Sequence, residues 1–204
     1  MKHDLYGPQD FARDTAVSRE TLERLQAYAN LLERWNKTTN LVSASTIPDL
    51  WRRHFLDSAQ VARFVGVGGV TDLGSGAGFP GLVLAILAIP DIHLVEADQK
   101  KVAFLREAAR VTGAKVTIHP QRIEAIPAIT TVHITSRALA SVSEILALAA
   151  PKMLPNAKFV LLKGQNVGVE LTEARKLWKM HVEEHPSRSD PAARVVILGE
   201  VQRV

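Results

Sequence analysis

One short loop of this chain carries a glycine at every second position. These glycines are Gly74, Gly76 and Gly78. The preceding segment, Val70 to Leu73, is typical of a buried strand, and Pro80 is tolerated in the first turn of a helix that we predict to run to about Ile89. Alternating glycines let the backbone adopt positive φ and let a ligand approach, while free amides at the helix start favour negative charge. The pattern predicts a cradle for a nucleotide or a carboxylate.

The residues around this loop narrow the kind of ligand. A dinucleotide-binding fingerprint needs a glycine where this chain has Phe79, and a phosphate-binding P-loop needs a lysine that does not occur between Val70 and Ile89. Asp72 instead lies at the end of the strand. The pattern resembles the first motif of Rossmann-like methyltransferases that use S-adenosylmethionine, which implies cofactor contacts from Asp72 and the three glycines. A glycine-rich loop without a ligand is the alternative.

Composition limits the class of protein. A length of 204 residues with 47% apolar residues suits a single α/β unit. The chain has no cysteine, which excludes disulfides and thiolate zinc sites. Its seven histidines show no metal-ligand spacing, so we expect no metal. We find no signal peptide and no membrane-spanning apolar run, and therefore expect a cytoplasmic protein without membrane contact.

The charge balance is weakly basic. Lysine and arginine exceed the acidic residues by 25 to 21, which gives a net charge of +4 and a pI near 9.5. This excess permits a polyanionic partner without demonstrating one.

The region before the glycine loop predicts helices. Residues 1–14 are polar, and we expect them to be loosely held. Ser18 is a suitable N-cap for an amphipathic helix that ends near Trp35, and a second helix is predicted over about 48–65. Residues 1–66 are therefore expected to form a helical extension packed on a main domain of residues 67–204.

After the loop, strand and helix patterns alternate, which predicts a mostly parallel sheet with right-handed crossovers. The late segments predict an antiparallel strand pair. The predicted strands are 70–73, 93–96, 115–119, 132–136 and 157–163, the helices are 80–89, 99–112, 141–150 and 166–180, and the terminal pair is 181–185 with 194–201.

Acidic side chains follow the second predicted strand. In an open α/β sheet, ligands bind at the carboxyl ends of the strands. Glu96 ends the second strand roughly 20 residues beyond the glycine loop, where a carboxylate accepts hydrogen bonds from ribose hydroxyls. Asp98 already begins the next turn and is the less suitable candidate. Solvated acids preceding a helix are the alternative, and this alternative is stronger for Asp98.

Three further strand ends carry candidate groups. An adenine ring could lie against Ile123 and be read by Glu124, although a surface turn is the default interpretation there. The fourth and fifth strands end in cations, Arg137 and Lys163, which suit a carboxylate or phosphate ligand. A solvated surface charge remains the alternative for Lys163.

Five blocks of sequence occur together and in a fixed order. They resemble the glucose-inhibited division protein B family, which are bacterial methyltransferases that modify N7 of one guanine in 16S ribosomal RNA of the small subunit. The resemblance runs from about residue 20 to 200. The blocks are Trp35-Asn-Lys-Thr-Thr-Asn-Leu41, Arg53-His-Phe-Leu-Asp-Ser58, Asp72-Leu-Gly-Ser-Gly-Ala-Gly-Phe-Pro-Gly81, Ser136-Arg-Ala138 and Leu162-Lys-Gly-Gln165.

The resemblance implies a Rossmann-like class I methyltransferase with a mostly parallel seven-stranded sheet, helices on both faces and an N-terminal helical extension. It implies S-adenosylmethionine as the cofactor, 16S ribosomal RNA or the small ribosomal subunit as the partner, and a monomer. The implied cofactor contacts are Gly74, Phe79, Glu96, Ile123, Glu124 and Arg137. The implied catalytic residues are Arg137, Lys163 and Arg194. The implied RNA contacts are Arg52, Arg53, His54, Lys163 and Arg194.

This chain departs from the family pattern in two places. Its N-terminal region is short, and the basic segment before the last strand is reduced to residues 190–194, in which Arg194 is the only cation. The second departure puts the RNA-contact role of that segment in doubt.

The implied reaction needs no general base. Guanine N7 carries a lone pair and no proton, so most of the acceleration should come from holding N7 in line with the methyl group, which can supply up to roughly 7 to 11 kcal/mol. Arg137 is then expected to orient the cofactor or RNA, because a cation pressed against N7 would oppose the charge arriving there.

His54, Asp57 and Ser58 share one face of a predicted helix, at positions i, i+3 and i+4. We predict that this face borders the cleft and helps to admit RNA. A hydrogen-bonded cluster that only packs helices is the alternative. Candidate phosphate contacts are Arg52, Arg53, Lys100, Lys101 and Lys163.

Three other functions stay open from sequence. A nicotinamide-dependent reductase would share Glu96 but lacks the glycine at position 79. A non-catalytic RNA-binding or ribosome-assembly factor could keep the fold, although the intact loop and Glu96 argue against it. A methyltransferase acting on another RNA is the third.

Overall fold

The computed structural model describes residues 6–204, and its centre is one seven-stranded sheet. The strands are β1 (Val70–Leu73), β2 (Ile92–Val95), β3 (Val116–His119), β4 (His133–Arg137), β5 (Lys158–Lys163), β6 (Trp178–Pro186) and β7 (Arg194–Arg203). Their spatial order is β3-β2-β1-β4-β5-β7-β6. The first five strands are parallel, whereas β7 pairs antiparallel with β5 and β6 antiparallel with β7. This confirms the predicted α/β class with its terminal strand pair.

Seven α-helices surround the sheet in the described part of the chain. They are α1 (Pro8–Thr15), α2 (Arg19–Asn36), α3 (Asp57–Ala59), α4 (Gly81–Ile86), α5 (Gln99–Thr112), α6 (Val142–Ala149) and α7 (Val167–Ala174). Helix α2 begins at the predicted cap, because the Ser18 side chain accepts a hydrogen bond from the amide of Thr21. Helix α5 is capped by Asp98 and ends at Gly113, which adopts the left-handed conformation at φ 63°.

The predicted second helix is a chain of short helical turns. These are a 3-10 helix (Ala44–Asp49), a π-helix (Trp51–Leu56), α3 and a second 3-10 helix (Gln60–Arg63). We call residues 44–63 the mixed helical segment. Pro48, inside its first turn, has no amide proton to donate, which disfavours a continuous α-helix there. Trp51 and Phe55 stack with ring centroids 4.6 Å apart on its inner side.

The N-terminal helices share a core with the sheet. Leu25 and Leu32 from α2 and Phe55 from the mixed helical segment are fully buried in one cluster with residues such as Leu82 and Phe104. A second cluster lies under α6 and α7. The sheet therefore has apolar residues packed on both faces. The central strand β1 needs this cover, because all four of its residues are buried.

The expectation that residues 1–14 are loosely held is wrong for the described residues 6–14. Helix α1 begins at Pro8, and the side chain of Asp10 accepts a hydrogen bond from the amide of Gly7 at 2.9 Å. Phe11 is fully buried, with its ring centroid 5.5 Å from that of Trp51. Two aromatic side chains, Tyr6 and Phe11, thus anchor an otherwise polar segment. Residues 1–5 lie outside the described part of the chain.

Two predicted helices are shorter in the structure. Pro80 is the cap residue before α4, and this helix ends at Ile86 rather than near residue 89. Helix α7 ends at Ala174, and residues 178–180, predicted to be helical, belong to β6. The helical spacing of Val167, Leu171 and Ala174 continues to Trp178, but Trp178 is buried as the first residue of a strand instead.

Two further findings concern residues 6–204. None of their helices combines the length and the apolar character that crossing a membrane requires. No three of their histidine and acidic side chains are grouped so that they could hold a metal ion.

Candidate active site

The glycine loop connects the buried end of β1 to α4 in a conformation that favours glycine. Gly74, Gly76 and Gly78 have φ angles of 64°, 55° and 93°. A Cβ atom at Gly78 would lie 2.8 Å from the hydroxyl of Tyr28, so this backbone also passes too close to α2 for any side chain. A Cβ atom at Gly76 would have more space, since the nearest atom to it would be the carbonyl oxygen of Gly74, at 3.8 Å. The loop therefore leaves room for a ligand over Gly76.

Glu96 lies beside this loop, as predicted from its place after β2. Its carboxylate accepts hydrogen bonds from the amides of Gly76 and Asp98, each at 2.8 Å. Each carboxylate oxygen can accept two hydrogen bonds, so acceptor capacity remains for ribose hydroxyls. Asp98 is occupied differently: its side chain accepts from the amides of Lys100 and Lys101, which lowers its pKa and caps α5.

Asp72 lies beneath the loop rather than on its outer surface. It is fully buried, and its two oxygens accept hydrogen bonds from the hydroxyl of Thr135 at 2.8 Å and the amide of Gly81 at 3.2 Å. Burial raises the pKa of Asp72 to about 6, against the lowering effect of these bonds. Its carboxylate fixes the start of α4 relative to β4, and a direct cofactor contact stays a prediction.

Tyr28 supports the glycine loop from the N-terminal side, and the sequence analysis did not identify it. Its hydroxyl donates to the carbonyl of Ala77, and its ring stacks on Phe79 with centroids 5.3 Å apart. Complete burial raises the pKa of Tyr28 well above its ordinary value. A tyrosine on the apolar face of α2 needs a partner for its hydroxyl, which is the only sequence indication of this role.

Arg137 joins the end of β4 to the mixed helical segment. Its guanidinium donates to Nδ1 of His54 at 2.8 Å and to the carbonyl of Arg53 at 3.1 Å. It lies 4.9 Å from the ring centroid of Phe79 and 3.6 Å from the carboxylate of Asp57. Burial lowers the pKa of Arg137, while Asp57 raises it. An arginine retains its charge in such a site.

His54 is buried and neutral. Its Nε2 lies 2.8 Å from the hydroxyl of Thr46, opposite the bond to Arg137. Burial and the nearby cations Arg137 and Arg53 lower the pKa of His54 to about 3. His54 therefore adds no positive charge to the site at neutral pH.

Asp57 and Ser58 have separate surroundings, although the sequence predicted that they share a face with His54. Asp57 accepts hydrogen bonds from the hydroxyl of Ser189 at 2.6 Å and from the side-chain Nε2 of Gln60 at 3.0 Å. Ser58 is fully buried, and its hydroxyl has no hydrogen-bond partner among residues 6–204. His54 and Asp57 thus meet at Arg137, and Ser58 faces the core.

A cavity of about 680 Å³ lies at the carboxyl ends of β4 and β5. Its wall includes four cationic side chains and three carboxylates, so its charge is weakly positive. The cations are Arg53, Arg137, Lys163 and Arg194, and the carboxylates are Asp57, Glu170 and Asp190. Leu139 lines the same cavity and also covers the glycine loop, since a Cβ atom at Gly74 would lie 2.6 Å from its side chain. The cavity and the loop are therefore neighbours.

Lys163 is a buried member of this wall, so it is not a solvated surface charge. Its ammonium donates to the carbonyl of Ala140 at 2.6 Å and to the carboxylate of Glu170 at 2.8 Å. Glu170 lies in α7 and was not identified from the sequence.

Arg53 and Arg194 lie at the rim of the cavity. Arg53 pairs with Asp190 at 2.7 Å, and both side chains are partly exposed. Arg194 donates to the carbonyls of Pro191 and Ala193, which hold it against its own loop.

The remaining predicted residues lie away from the cavity wall. Arg52 is exposed and lies 4.5 Å from the ring centroid of Tyr6. Lys100 and Lys101 lie in the first turn of α5. Ile123 is buried and Glu124 exposed in a 3-10 turn after β3.

The fold and the site together define a Rossmann-like S-adenosylmethionine-dependent methyltransferase, with an open glycine loop and a carboxylate, that of Glu96, at adjacent strand ends. The chain belongs to the family described as rRNA small subunit methyltransferase G, whose model matches residues 21–192. This confirms the family resemblance found in the sequence.

Relatives in this family match nearly the whole chain. The ribosomal RNA small subunit methyltransferase G of Rhodospirillum rubrum is 52% identical over 198 residues, covering 96% of this chain and 98% of the relative. The protein of the same name from Gluconobacter oxydans is 46% identical over 191 residues, covering 93% and 99%.

Solved structures with low sequence identity share the fold. The ribosomal protein L11 methylase of Lactobacillus delbrueckii subsp. bulgaricus superposes with a TM-score of 0.56 at 12% identity, covering 70% of this chain and 76% of that one. A variant of MtNAS in complex with S-adenosylmethionine superposes with a TM-score of 0.58 at 13% identity, covering 95% and 84%.

Proposed function

We propose that this protein transfers the methyl group of S-adenosylmethionine to N7 of one specific guanine in 16S ribosomal RNA of the small subunit. The observation that carries the proposal is that two sites are neighbours. One is the glycine loop with the Glu96 carboxylate beside it, and the other is the weakly cationic cavity, which shares Leu139 with the loop. The names of the relatives supply the substrate, since both act on small-subunit ribosomal RNA.

On this proposal, the cofactor lies across the glycine loop with its ribose on Glu96. The bound cofactor supplies an electrophilic methyl group on a sulfonium. The amino-acid end of the cofactor lies over the loop towards α4, whose first amide, that of Gly81, already donates to Asp72. We propose that Ile123 and Glu124, in the 3-10 turn after β3, contact the adenine of the cofactor. Asp72 and Tyr28 hold the loop from beneath.

The cavity is large enough for a flipped-out nucleotide. Its volume of about 680 Å³ lies within the range of roughly 300 to 1,000 Å³ that small ligands occupy. Arg53 and Arg194 at its rim suit phosphate groups, because their side chains are partly exposed and can exchange their present partners for a polyanion. We propose that these two cations meet the RNA backbone while the target base enters the cavity.

The reaction requires positioning rather than proton transfer. The neutral His54 accepts from Arg137 through Nδ1, so neither group is available as a base. Arg137 is held over Phe79 and between the mixed helical segment and β4, and it orients the cavity wall relative to the cofactor. Its buried charge stays away from N7, where positive charge arrives.

The same proposal covers organisation and location. Residues 1–66 act as a helical extension on the Rossmann-like domain of residues 67–204, and the shared core of α2, the mixed helical segment and the sheet supports one globular unit. The protein works as a monomer in the bacterial cytoplasm, where its RNA substrate is made.

A direct test incubates the protein and labelled S-adenosylmethionine separately with naked 16S ribosomal RNA, assembly intermediates and mature small subunits, and maps the modified base. We expect one N7-methylguanosine in at least one of the three substrates. Cofactor binding without methyl transfer would support the non-catalytic RNA-binding factor instead. Label confined to another RNA would replace the substrate, and binding of a nicotinamide dinucleotide in place of S-adenosylmethionine would overturn the proposal.

A further inference from the structure

The Lys163 and Glu170 side chains form a buried ion pair in the wall of the cavity. Lys163 ends β5 and Glu170 lies in α7, and Nζ is 2.8 Å from Oε2. The two side chains are only 6% and 26% exposed. Since β4 separates β1 from β5, this pair faces the cavity from the side away from the glycine loop. A buried ion pair is costly to desolvate, which favours a role beyond surface solubility.

Both members of the pair keep an unused hydrogen-bonding group. The ammonium of Lys163 has three donors, of which the carbonyl of Ala140 and the carboxylate of Glu170 take two. The Oε2 atom of Glu170 accepts from Lys163 and from the amide of Val142 at 3.0 Å. Within residues 6–204, Oε1 of Glu170 accepts no hydrogen bond. One donor and one acceptor therefore remain next to each other.

A phosphate group does not suit this pair. The Glu170 carboxylate lies in contact with the only ammonium of the cavity wall, and it would repel a phosphate that approached Lys163. A phosphate is best bound by donors alone, whereas a nucleobase edge that carries both an acceptor and a donor needs a donor and an acceptor side by side.

The order of these groups matches guanine, and also the O4 and N3 hydrogen of uracil, but it matches neither adenine nor cytosine. Guanine presents the O6 acceptor beside the N1 hydrogen donor, whereas adenine presents an amino donor beside an unprotonated N1. A lysine donor next to a carboxylate acceptor reproduces the donor and acceptor order with which cytosine pairs with guanine. Enzymes that act on extruded bases commonly read this Watson–Crick edge.

We propose that Lys163 donates to O6 and Glu170 accepts from the N1 hydrogen of the target guanine, so that this pair selects guanine over adenine. This inference rests on the proposed function. N7 lies on a different edge of the purine and is left free to face the cofactor. Glu170 thereby becomes a specificity-determining residue, and Lys163 reads the base instead of a phosphate.

A base analogue tests this assignment directly. Once the target position is mapped, RNA is ligated with either guanosine or 2,6-diaminopurine riboside at that position. The analogue keeps N7 but replaces O6 with an amino group and leaves N1 unprotonated. Some sites hydrogen-bond their substrate, and an analogue that lacks the matching group leaves buried polar groups of the site unpaired. Such sites discriminate against the analogue by up to roughly 10⁴-fold to 10⁵-fold. We expect kcat/KM of the wild-type enzyme to fall at least about 100-fold on the analogue RNA.

The variant Glu170→Gln should narrow this discrimination by at least about tenfold, because its amide can donate to an unprotonated N1. The control is Glu173→Gln on the same helix, where Glu173 is exposed and paired with Lys176. It should keep the wild-type ratio. Unchanged affinity for S-adenosylmethionine would show that both variants fold.

The outcomes separate the inference from the proposed function. Equal wild-type rates on the two RNAs would overturn base reading by this pair and leave the methyltransferase intact. The inference would also be overturned if Glu170→Gln kept the wild-type ratio of kcat/KM on guanosine RNA to kcat/KM on the analogue RNA. If Glu170→Gln fails to fold, the wild-type ratio alone decides. An absence of methylation on the guanosine RNA, with cofactor bound, would instead reject the proposed function.

Discussion

Arg137 donates a hydrogen bond from its guanidinium to Nδ1 of His54, at 2.8 Å. A guanidinium has no acceptor, so Nδ1 must be unprotonated. The proton of the neutral ring is therefore on Nε2, which donates to the hydroxyl of Thr46. A second proton on His54 would remove the acceptor for Arg137 and place two cations in contact. The pairing thus requires a neutral histidine inside the cavity wall.

This relationship predicts a pH-dependent contribution to stability. Burial, together with Arg137 and Arg53, lowers the pKa of His54 to about 3, whereas an unfolded chain has a value of about 6.5. Between these values the unfolded state binds more protons, so the free energy of unfolding falls as the pH falls from about 6.5 toward 3. His54→Gln should lose this part of the slope, which approaches about 1.4 kcal/mol per pH unit. Denaturant unfolding at about pH 7, 6 and 5 measures it, and equal slopes would contradict the prediction.

Tyr28→Phe should loosen the glycine loop. The change removes the donor to the buried carbonyl of Ala77, which costs about 1 to 3 kcal/mol when that carbonyl stays unsatisfied. We expect weaker cofactor binding together with lower stability, measured by calorimetry and denaturant unfolding. Tyr6→Phe is the matched control, since the Tyr6 hydroxyl bonds to Asp14 in the N-terminal helix. Equal cofactor affinity in both variants would show that the loop does not depend on Tyr28.

Glu96→Gln should weaken cofactor binding at a modest cost in stability, because the side-chain nitrogen of glutamine cannot accept from the backbone amide of Asp98. The amide oxygen can still accept from Gly76, but the side chain loses its charge and half of its acceptor capacity for ribose hydroxyls. We expect the dissociation constant for S-adenosylmethionine to rise about tenfold or more. Asp98→Asn serves as the control because asparagine also caps a helix. Unaltered affinity in Glu96→Gln would remove the ribose contact from the site.

Arg137→Lys should impair methyl transfer although the charge is kept. Lysine cannot reproduce the planar fork that reaches both His54 and the carbonyl of Arg53. For Arg137→Lys we expect kcat/KM for RNA to fall about tenfold or more. For Arg137→Ala we also expect the free energy of unfolding to fall by about 3 kcal/mol, because Asp57 is left without its cation. Single-turnover methylation and unfolding curves test both. Wild-type kinetics in Arg137→Ala for both substrates would exclude an orienting role.

RNA binding should weaken as salt rises, because cations that meet phosphates displace counterions. Arg53→Gln should lower the slope of log K against log salt by nearly one, roughly 0.7 to 0.9. Arg52→Gln is the comparison, since the guanidinium of Arg52 lies over Tyr6 instead of lining the cavity. A filter-binding series at several salt concentrations gives both slopes. Identical slopes in wild type and Arg53→Gln would exclude a phosphate contact.

The sheet could be predicted because its central strands, such as β1 and β5, are short apolar runs buried on both faces, and clear helix caps separate the elements. The bounds of α5 were predicted correctly, because Asp98 caps its start and Gly113 ends it. Helix α1 could not be predicted, because one buried side chain, Phe11, anchors it. The end of α7 was misplaced because Trp178 fits helical spacing and strand burial equally well, and only its pairing with Arg203 decides between them.

The site could be predicted where chemistry follows directly from position at a strand end. Glu96 and Arg137 were found in this way, and both lie where expected. Tyr28 and Thr135 were not, because their partners lie 49 and 63 residues away along the chain. Glu170 was missed because it reaches the cavity only through the packing of α7 on α6, where it accepts from the amide of Val142.

The ion pair between Arg53 and Asp190 spans 137 residues of sequence. A polypeptide still being synthesised holds the glycine loop and Glu96 long before Asp190 has been added. The rim that pairs Arg53 with Asp190 is therefore completed among the last steps of translation, well after the loop that we propose binds the methyl donor.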